Sequence, residues 1–293
     1  MRERPSFVFL PHPPCLNPCA GRLPRMSASG GSDTSQPVSI SFERDGDVAI
    51  VTIERAERRN ALDAATATAL AEALTTAGQS ARVVIVTGAG KAFCAGGDLE
   101  ELEAWSTKSP EEISSTLYGS FQAMVRGIRH SDAVFIAAIN GAAVGAGMDL
   151  ALACDLRVAA EDARLGQVWV RLGVIPGTGG AFLTQLLAGS TKAAELLLTG
   201  DLITAQEALD CGLVNAVVPR AGSSNEAVLG EARALAERIL RHPRDGVIAN
   251  KRALAAVTNP PLDQALEHAA EVQGVRFTSD EFKGAVRAAR SKA

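Results

Sequence analysis

Apolar and polar positions alternate through "VSISFERDGDVAIVTIER", from Val38 onward, on both sides of Asp45-Gly46. A period of two around an Asp-Gly turn predicts a β-hairpin. The period then lengthens. In "LDAATATALAEALTTAGQ", Ala67, Leu70, Ala71 and Leu74 recur at helical spacing, with Asp63 near the first turn. "ARVVIVTG" is a short apolar run, predicted as a buried strand that enters the loop "AGKAFCAGGD". Leu117, Phe121, Met124 and Ile128 fall on one side of a helix predicted over residues 114–130. "AVFIAAIN" is a second buried strand, entering the small-residue loop "GAAVGAGMD"; the chain then passes through a helical turn to a strand at 156–158. Two buried strands that each lead into a glycine-rich loop and a helix predict an α/β organisation, with ligand loops where the strands end.

The last third turns helical. "TKAAELLLTG" and "TAQEALDCG" each end at a glycine. "NEAVLGEARALAERILRHP" and "PLDQALEHAAEVQGVRFT" are longer amphipathic stretches, suited to a lid or an oligomer surface. Residues 1–37 are Pro-, Ser- and Arg-rich without periodicity, and are read as a disordered N-terminal extension. Their "FVFL" is too short for a secretory signal; an upstream extension ahead of Met26, or a transit peptide, is the remaining reading. The ordered domain is expected over 38–293, as a core of about 38–220 and a helical part of about 221–293.

Composition narrows the function. Acidic residues outnumber basic ones, for a formal net charge of -4, so no basic surplus exists to neutralise nucleic-acid phosphates. Aromatics are only 4%, which argues against base-stacking platforms. No run of about 20 apolar residues offers a membrane span. Cys15, Cys19, Cys94, Cys154 and Cys211 form no metal-type pairing, and His12, His130, His242 and His268 have no metal spacing. The expectation is a cytoplasmic protein without a metal site. Cys94 is read as a small buried residue rather than a nucleophile.

Six segments, in order, resemble the enoyl-CoA hydratase/isomerase family, the crotonase superfamily. They are "RRNAL", "AFCAGGDLEEL", "AAINGAAVGAGMDLALACDLRVAAEDARLGQ", "LGVIPGTGG", "TGDLITAQEALDCGLVNAVVP" and "SDEFKGAVRA". The resemblance implies a crotonase-like (ClpP/crotonase) α/β spiral of ββα units with a C-terminal helical region, assembled as a homotrimer or dimer of trimers. It implies an acyl-CoA substrate, with coenzyme A arriving as part of that substrate and no separate cofactor. By position it assigns an oxyanion hole to the amides of Gly97 and Ala146, flanked by Ala95, Gly96 and Gly145. Donors fixed in advance stabilise the charge a thioester oxygen gains as an enolate forms. Small residues are what such an approach requires. The resemblance lays the adenosine and phosphate end of coenzyme A along Arg58, Arg59 and Ala61; a solvated arginine pair is the alternative. Asp98, Glu100, Glu101 and Glu103 fit a helix N-terminus, with Asp98 also beside the substrate path.

One position breaks the pattern. Hydratases of this family use two carboxylates, which share the acid and base roles. The first matches Asp149, one methylene shorter than the usual Glu. The second matches Trp169, and "GQVWVRLGVIPGTGG" contains no Asp, Glu, His, Cys or Lys. Asp149 is therefore the acid/base candidate, or else a helix-associated acid without a chemical task. Trp169 is read as wall or specificity residue, and Arg171 faces either the acyl end or solvent. Hydration or isomerisation through Asp149, an enolate reaction such as decarboxylation that needs no starting base, and non-catalytic acyl-CoA binding all remain open.

Overall fold

The computed structural model describes residues 40–219 and 224–292, so the extension expected over 1–37 lies outside the described residues. The predicted hairpin is present: β1 (Ile40–Asp45) and β2 (Val48–Ile53) are antiparallel, and Gly46 in the turn has φ 57°. A repeating unit follows, in which a long strand, a three-residue strand and a helical segment succeed one another. These are β3 (Val83–Gly88) with β4 (Ala92–Cys94), β5 (Val134–Ile139) with β6 (Ala142–Val144), and β7 (Leu156–Ala160) with β8 (Arg164–Gly166). The long strands join a six-stranded sheet of order β1-β2-β3-β5-β7-β10, and the short ones a four-stranded sheet of order β4-β6-β8-β9. Here β9 is Ile203–Thr204 and β10 is Ala216–Val218. Equivalent strands of successive units pair in parallel, so the chain winds as a spiral of ββα turns, with helices gathered at its C-terminal end.

Strands buried on both faces explain the unbroken apolar runs. Val84, Val86, Phe135, Ala137 and Ile139 face one core, and Val83, Ile85, Val134, Ile136 and Ala138 face another. The first face is covered by α1 (Ala64–Ser80), whose buried residues include Ala67, Leu70, Ala71 and Leu74. Asp63 caps this helix by accepting from the Thr66 N–H at 2.7 Å. The second face is covered by Val228, Ala232 and Ala236 of α8 (Ser224–Leu240), one turn apart.

Three expectations need correction. The glycine-rich "loops" each contain a strand, β4 and β6, too short and too rich in alanine to show a period. The helix expected over 114–130 starts earlier, as α3 (Pro110–Thr116), capped by a reciprocal Ser109–Glu112 box. It then passes through a π-turn at Leu117–Phe121 into α4 (Gln122–Arg129). The last long helix, α9 (Arg244–Arg276), runs through Pro260 and Pro261 instead of starting there. Tertiary contacts hold it across that gap: Asn259 Nδ2 donates to the Arg129 carbonyl at 2.8 Å, and Arg129 donates to Thr258 Oγ1 at 2.7 Å. Leu262 and Leu266 are buried just beyond.

The remaining helices frame the site: α2 (Leu99–Trp105), α5 (Ala146–Ala153), α6 (Gly180–Thr199), α7 (Ala205–Asp210) and α10 (Asp280–Arg290). Edge-to-face contacts of Trp105 with Phe277 and of Phe277 with Phe282, at 5.3 and 4.6 Å between ring centroids, lock α10 against α2. No helix among the described residues is long and apolar enough to cross a membrane.

Candidate active site

Adjacent parallel strands leave a sheet side by side, about 4.8 Å apart. The exits of β4 and β6 are such neighbours. Beyond β4, residues Ala95 to Asp98 run along the "RRNAL" segment: Ala95 N–H donates to the Arg59 carbonyl at 3.0 Å, Leu62 N–H to Gly96 at 2.7 Å, and Asp98 N–H to Leu62 at 2.8 Å. The rail itself is pinned by Asn60, fully buried with φ 57°. Its Oδ1 accepts from Arg55 N–H at 3.0 Å, and its Nδ2 donates to the carbonyls of Ala89 and Ala92 at 2.9 and 2.7 Å. Asn140 braces the same turn through the carbonyls of Gly88 and Gly90. Gly96 has φ 92°, and a Cβ there would come 2.8 Å from the Val144 carbonyl oxygen, so glycine is required. Among the described residues the Gly97 N–H has no acceptor.

Beyond β6, Gly145 adopts φ 54° and ψ -124°, and its N–H donates to Gly166 at 3.0 Å. Helix α5 then begins at Ala146. The first intrahelical bond back to Gly145 comes from Asp149 N–H, at 3.0 Å. Ala146 thus carries one of the unpaired first-turn donors at the positive end of a helix. Gly147 lets α5 close onto Cys94, where any side chain would collide with the Cys94 carbonyl. Cys94 is fully buried and its thiol is pushed up to about 12 by loss of water, as befits an inert core residue.

The two amides belong to the wall of one small chamber of about 60 Å³, formed by Ala95, Gly96, Gly97, Gly145 and Ala146 on the backbone side. Leu99, Leu102, Val168, Trp169 and Leu172 form its other walls. None of these walls carries a titratable side chain. Through Ala95, Gly97 and Leu99 this chamber adjoins an outer one of about 420 Å³, which Glu57, Arg58, Arg59, Ala61, Asp98, Glu100, Val144 and Arg290 also line.

Asp149, on the same helix as Ala146, is not among the residues that line the inner chamber. It is fully buried; Oδ1 accepts from Gln167 Nε2 at 2.8 Å, Oδ2 from the Thr178 hydroxyl, and the Gly180 N–H adds a third donor. Gln167 also donates to Thr184 Oγ1 at 3.1 Å. Desolvation outweighs these donors and pushes the Asp149 pKa up to about 6. A Cβ on Gly180 would overlap the carboxylate, which explains a glycine at the start of α6. The Trp169 indole borders both spaces. Its Nε1–H meets no acceptor in hydrogen-bonding geometry, yet it is close enough to Asp149 to favour the charged form. Gln167, Thr178 and Thr184 carry no sequence signal of this role, although the first two lie within "GQVWVRLGVIPGTGG".

The other expected residues separate. Trp169 and Leu172, one turn apart on the 3-10 helix Val168–Leu172, face the chamber, whereas Val170 and Arg171 are exposed. Arg171 lies alongside Gly200, so of its two readings the structure supports solvent. Asp98 is the N-cap of α2, accepting from Glu100 N–H at 3.0 Å, and sits 3.5 Å from both Arg55 and Arg58. Arg58 is also 3.2 Å from Glu100. Arg59 has no side-chain partner among the described residues. Arg290, which the sequence reading missed, reaches the outer chamber from α10 and is paired with Glu103 of α2. Glu101 is raised by burial, but its Oε2 is occupied by the Ala64 N–H at 2.6 Å. Among the described residues no three His, Cys, Asp or Glu side chains gather as a metal site.

A family model described as enoyl-CoA hydratase/isomerase matches residues 43–292. The chain is 34% identical over 254 residues to the short-chain-enoyl-CoA hydratase of Clostridium acetobutylicum, covering 85% of this chain and 94% of that protein. It is 34% identical over 248 residues to the crotonyl-CoA hydratase of Syntrophomonas wolfei, covering 84% and 92%. Among solved structures, an enoyl-CoA hydratase/isomerase from Mycobacterium paratuberculosis superposes with a TM-score of 0.78 at 30% identity, covering 86% of this chain and 98% of that one. A spiral of ββα turns and a match over nearly its whole described length carry one conclusion: the chain belongs to the enoyl-CoA hydratase/isomerase family of enzymes.

Proposed function

We propose that the chain acts on an acyl-CoA thioester whose carbonyl oxygen is received between the Gly97 and Ala146 amides, with Asp149 moving the proton. One observation carries this reading. Two backbone N–H groups without acceptors among the described residues belong to one small apolar chamber, which adjoins a larger charged one. Hydrogen-bond donors in a site of low dielectric are worth most where negative charge develops, here on the enolate oxygen. The acyl group enters the inner chamber, and the phosphates of coenzyme A lie in the outer one near Arg59, Arg58 and Arg290. The reaction draws on no separate cofactor, since coenzyme A arrives with the acyl group.

Asp149 sits on α5 three residues beyond the Ala146 amide, and its carboxylate is the one proposed to meet the reacting carbons. Held near pKa 6, it can take a proton from one carbon and return it to another, which is a 1,3-shift. Hydration needs a second group to hold and deprotonate water, and Trp169 stands at that place. Isomerisation of a 3-enoyl thioester is therefore expected to be faster than hydration of crotonyl-CoA. Asp149→Asn is expected to lower turnover about 100-fold or more with coenzyme A binding retained. Retained turnover in that variant moves the chemistry to enolate formation without a protein base, such as loss of carbon dioxide. No turnover of 2-enoyl, 3-enoyl, malonyl-type or 3-hydroxyacyl thioesters, followed by mass spectrometry, overturns the catalytic reading. We also propose a soluble cytoplasmic trimer or pair of trimers, which light scattering on the purified chain tests.

A further inference from the structure

We infer that Trp169 limits this enzyme to short acyl groups, of about four carbons in all, by closing the inner chamber at the depth where a longer chain would pass. The inference rests on the proposed placement of the thioester. A water-sized atom position needs about 10–15 Å³ of cavity, so a chamber of about 60 Å³ holds roughly four to six non-hydrogen atoms, enough for the four carbons and one oxygen of a butyryl group and little more. On its backbone side the indole leaves room for no more than about one methyl group: a Cβ on Gly145 would meet Trp169 Cε2 at 3.7 Å and Cζ2 at 3.9 Å, both ordinary contact distances.

Nor can the ring retreat at low cost. Trp169 is 6% exposed, in a 3-10 turn closed by Gly173 N–H to Val170 at 2.9 Å and Val174 N–H to Trp169 at 3.3 Å. Arg276 of α9 fastens the same turn by donating to the Gly173 carbonyl at 2.8 Å. The ring also stands close to the Asp149 carboxylate, whose partners Gln167 and Thr178 are themselves buried. The outer chamber offers no alternative for an apolar tail, because charged side chains form most of its wall.

The test is a binding series with coenzyme A and with acetyl-, butyryl-, octanoyl- and dodecanoyl-CoA, which are saturated and unreactive, by titration calorimetry on the full chain. Each buried methylene strengthens binding severalfold, so butyryl-CoA is expected to bind about tenfold tighter than acetyl-CoA. Octanoyl- and dodecanoyl-CoA are expected to bind no tighter than free coenzyme A. In Trp169→Ala the order inverts, with octanoyl-CoA gaining at least tenfold over the parent protein. If octanoyl-CoA binds the parent as tightly as butyryl-CoA, the size limit is wrong while the thioester site stands. If no thioester binds better than coenzyme A, the proposed placement itself fails. The parent series decides the matter even where Trp169→Ala does not fold, and Leu172→Ala, opening the same wall, provides the second variant.

Discussion

The Asp149 carboxyl, the proposed acid/base, is a fully buried group. Loss of water raises its pKa from 3.8 to about 6, against the pull of Thr178, Gln167 and the Gly180 amide. A raised carboxyl pKa means that the native state holds the proton more tightly than the unfolded chain does. Its stabilising contribution is therefore complete below the unfolded pKa and is lost as pH rises through 6, where the native state must bury a charge. The shift corresponds to about 3 kcal/mol. Asp149→Asn is expected to remove this dependence, gaining about 3 kcal/mol relative to the parent between pH 4 and pH 8 in urea unfolding. A constant offset across that range would contradict the burial assignment. Asp149 was legible as a candidate because the "GAGMD" segment resembles the family's. Its three side-chain and backbone donors were not, since they come from residues 167, 178 and 180, brought together only by the turn that precedes α6.

At the scale of elements, the geometry of the two amides depends on the rail between "RRNAL" and the segment after β4. Asn60 holds that rail with three hydrogen bonds, two of them to residues 29 and 32 positions away. Asn60→Ala leaves buried backbone groups unpaired and puts alanine at φ 57°, so a loss of about 2–3 kcal/mol is expected in urea unfolding. Acyl-CoA affinity should fall with it, because Gly97 is held through Leu62. Unchanged affinity in the folded variant would confine Asn60 to stability alone. The sequence showed the long strands and the amphipathic helices, whose periods are strong. It hid β4 and β6, because three residues of Ala, Phe, Cys and Val carry no period. It also hid the passage of α9 through Pro260 and Pro261, where contacts with Arg129 override local preference.

Across the whole molecule, the outer chamber draws its charges from distant parts of the chain: Glu57 to Arg59, Asp98 to Glu100, and Arg290 from the last helix. Among the described residues Arg58 is paired with Asp98 and Glu100, and Arg290 with Glu103, which makes Arg59 the cation proposed to meet a phosphate. Arg59→Ala is expected to weaken coenzyme A binding about tenfold, whereas Glu100→Gln, by releasing Arg58, should tighten it severalfold. Both effects should shrink in about 0.5 M salt, as calorimetry at two ionic strengths would show. Equal and same-signed effects would place the phosphates elsewhere. By itself the sequence determined the α/β alternation, the family and the small residues at the two strand exits, because these follow from local periods and from segments readable in order. Only the tertiary structure decided that Gln167, Thr178 and Gly180 surround Asp149, that Arg171 faces away and that Arg290 lines the outer chamber. Those relations depend on which faces meet after the chain has wound back on itself, and no local pattern encodes them.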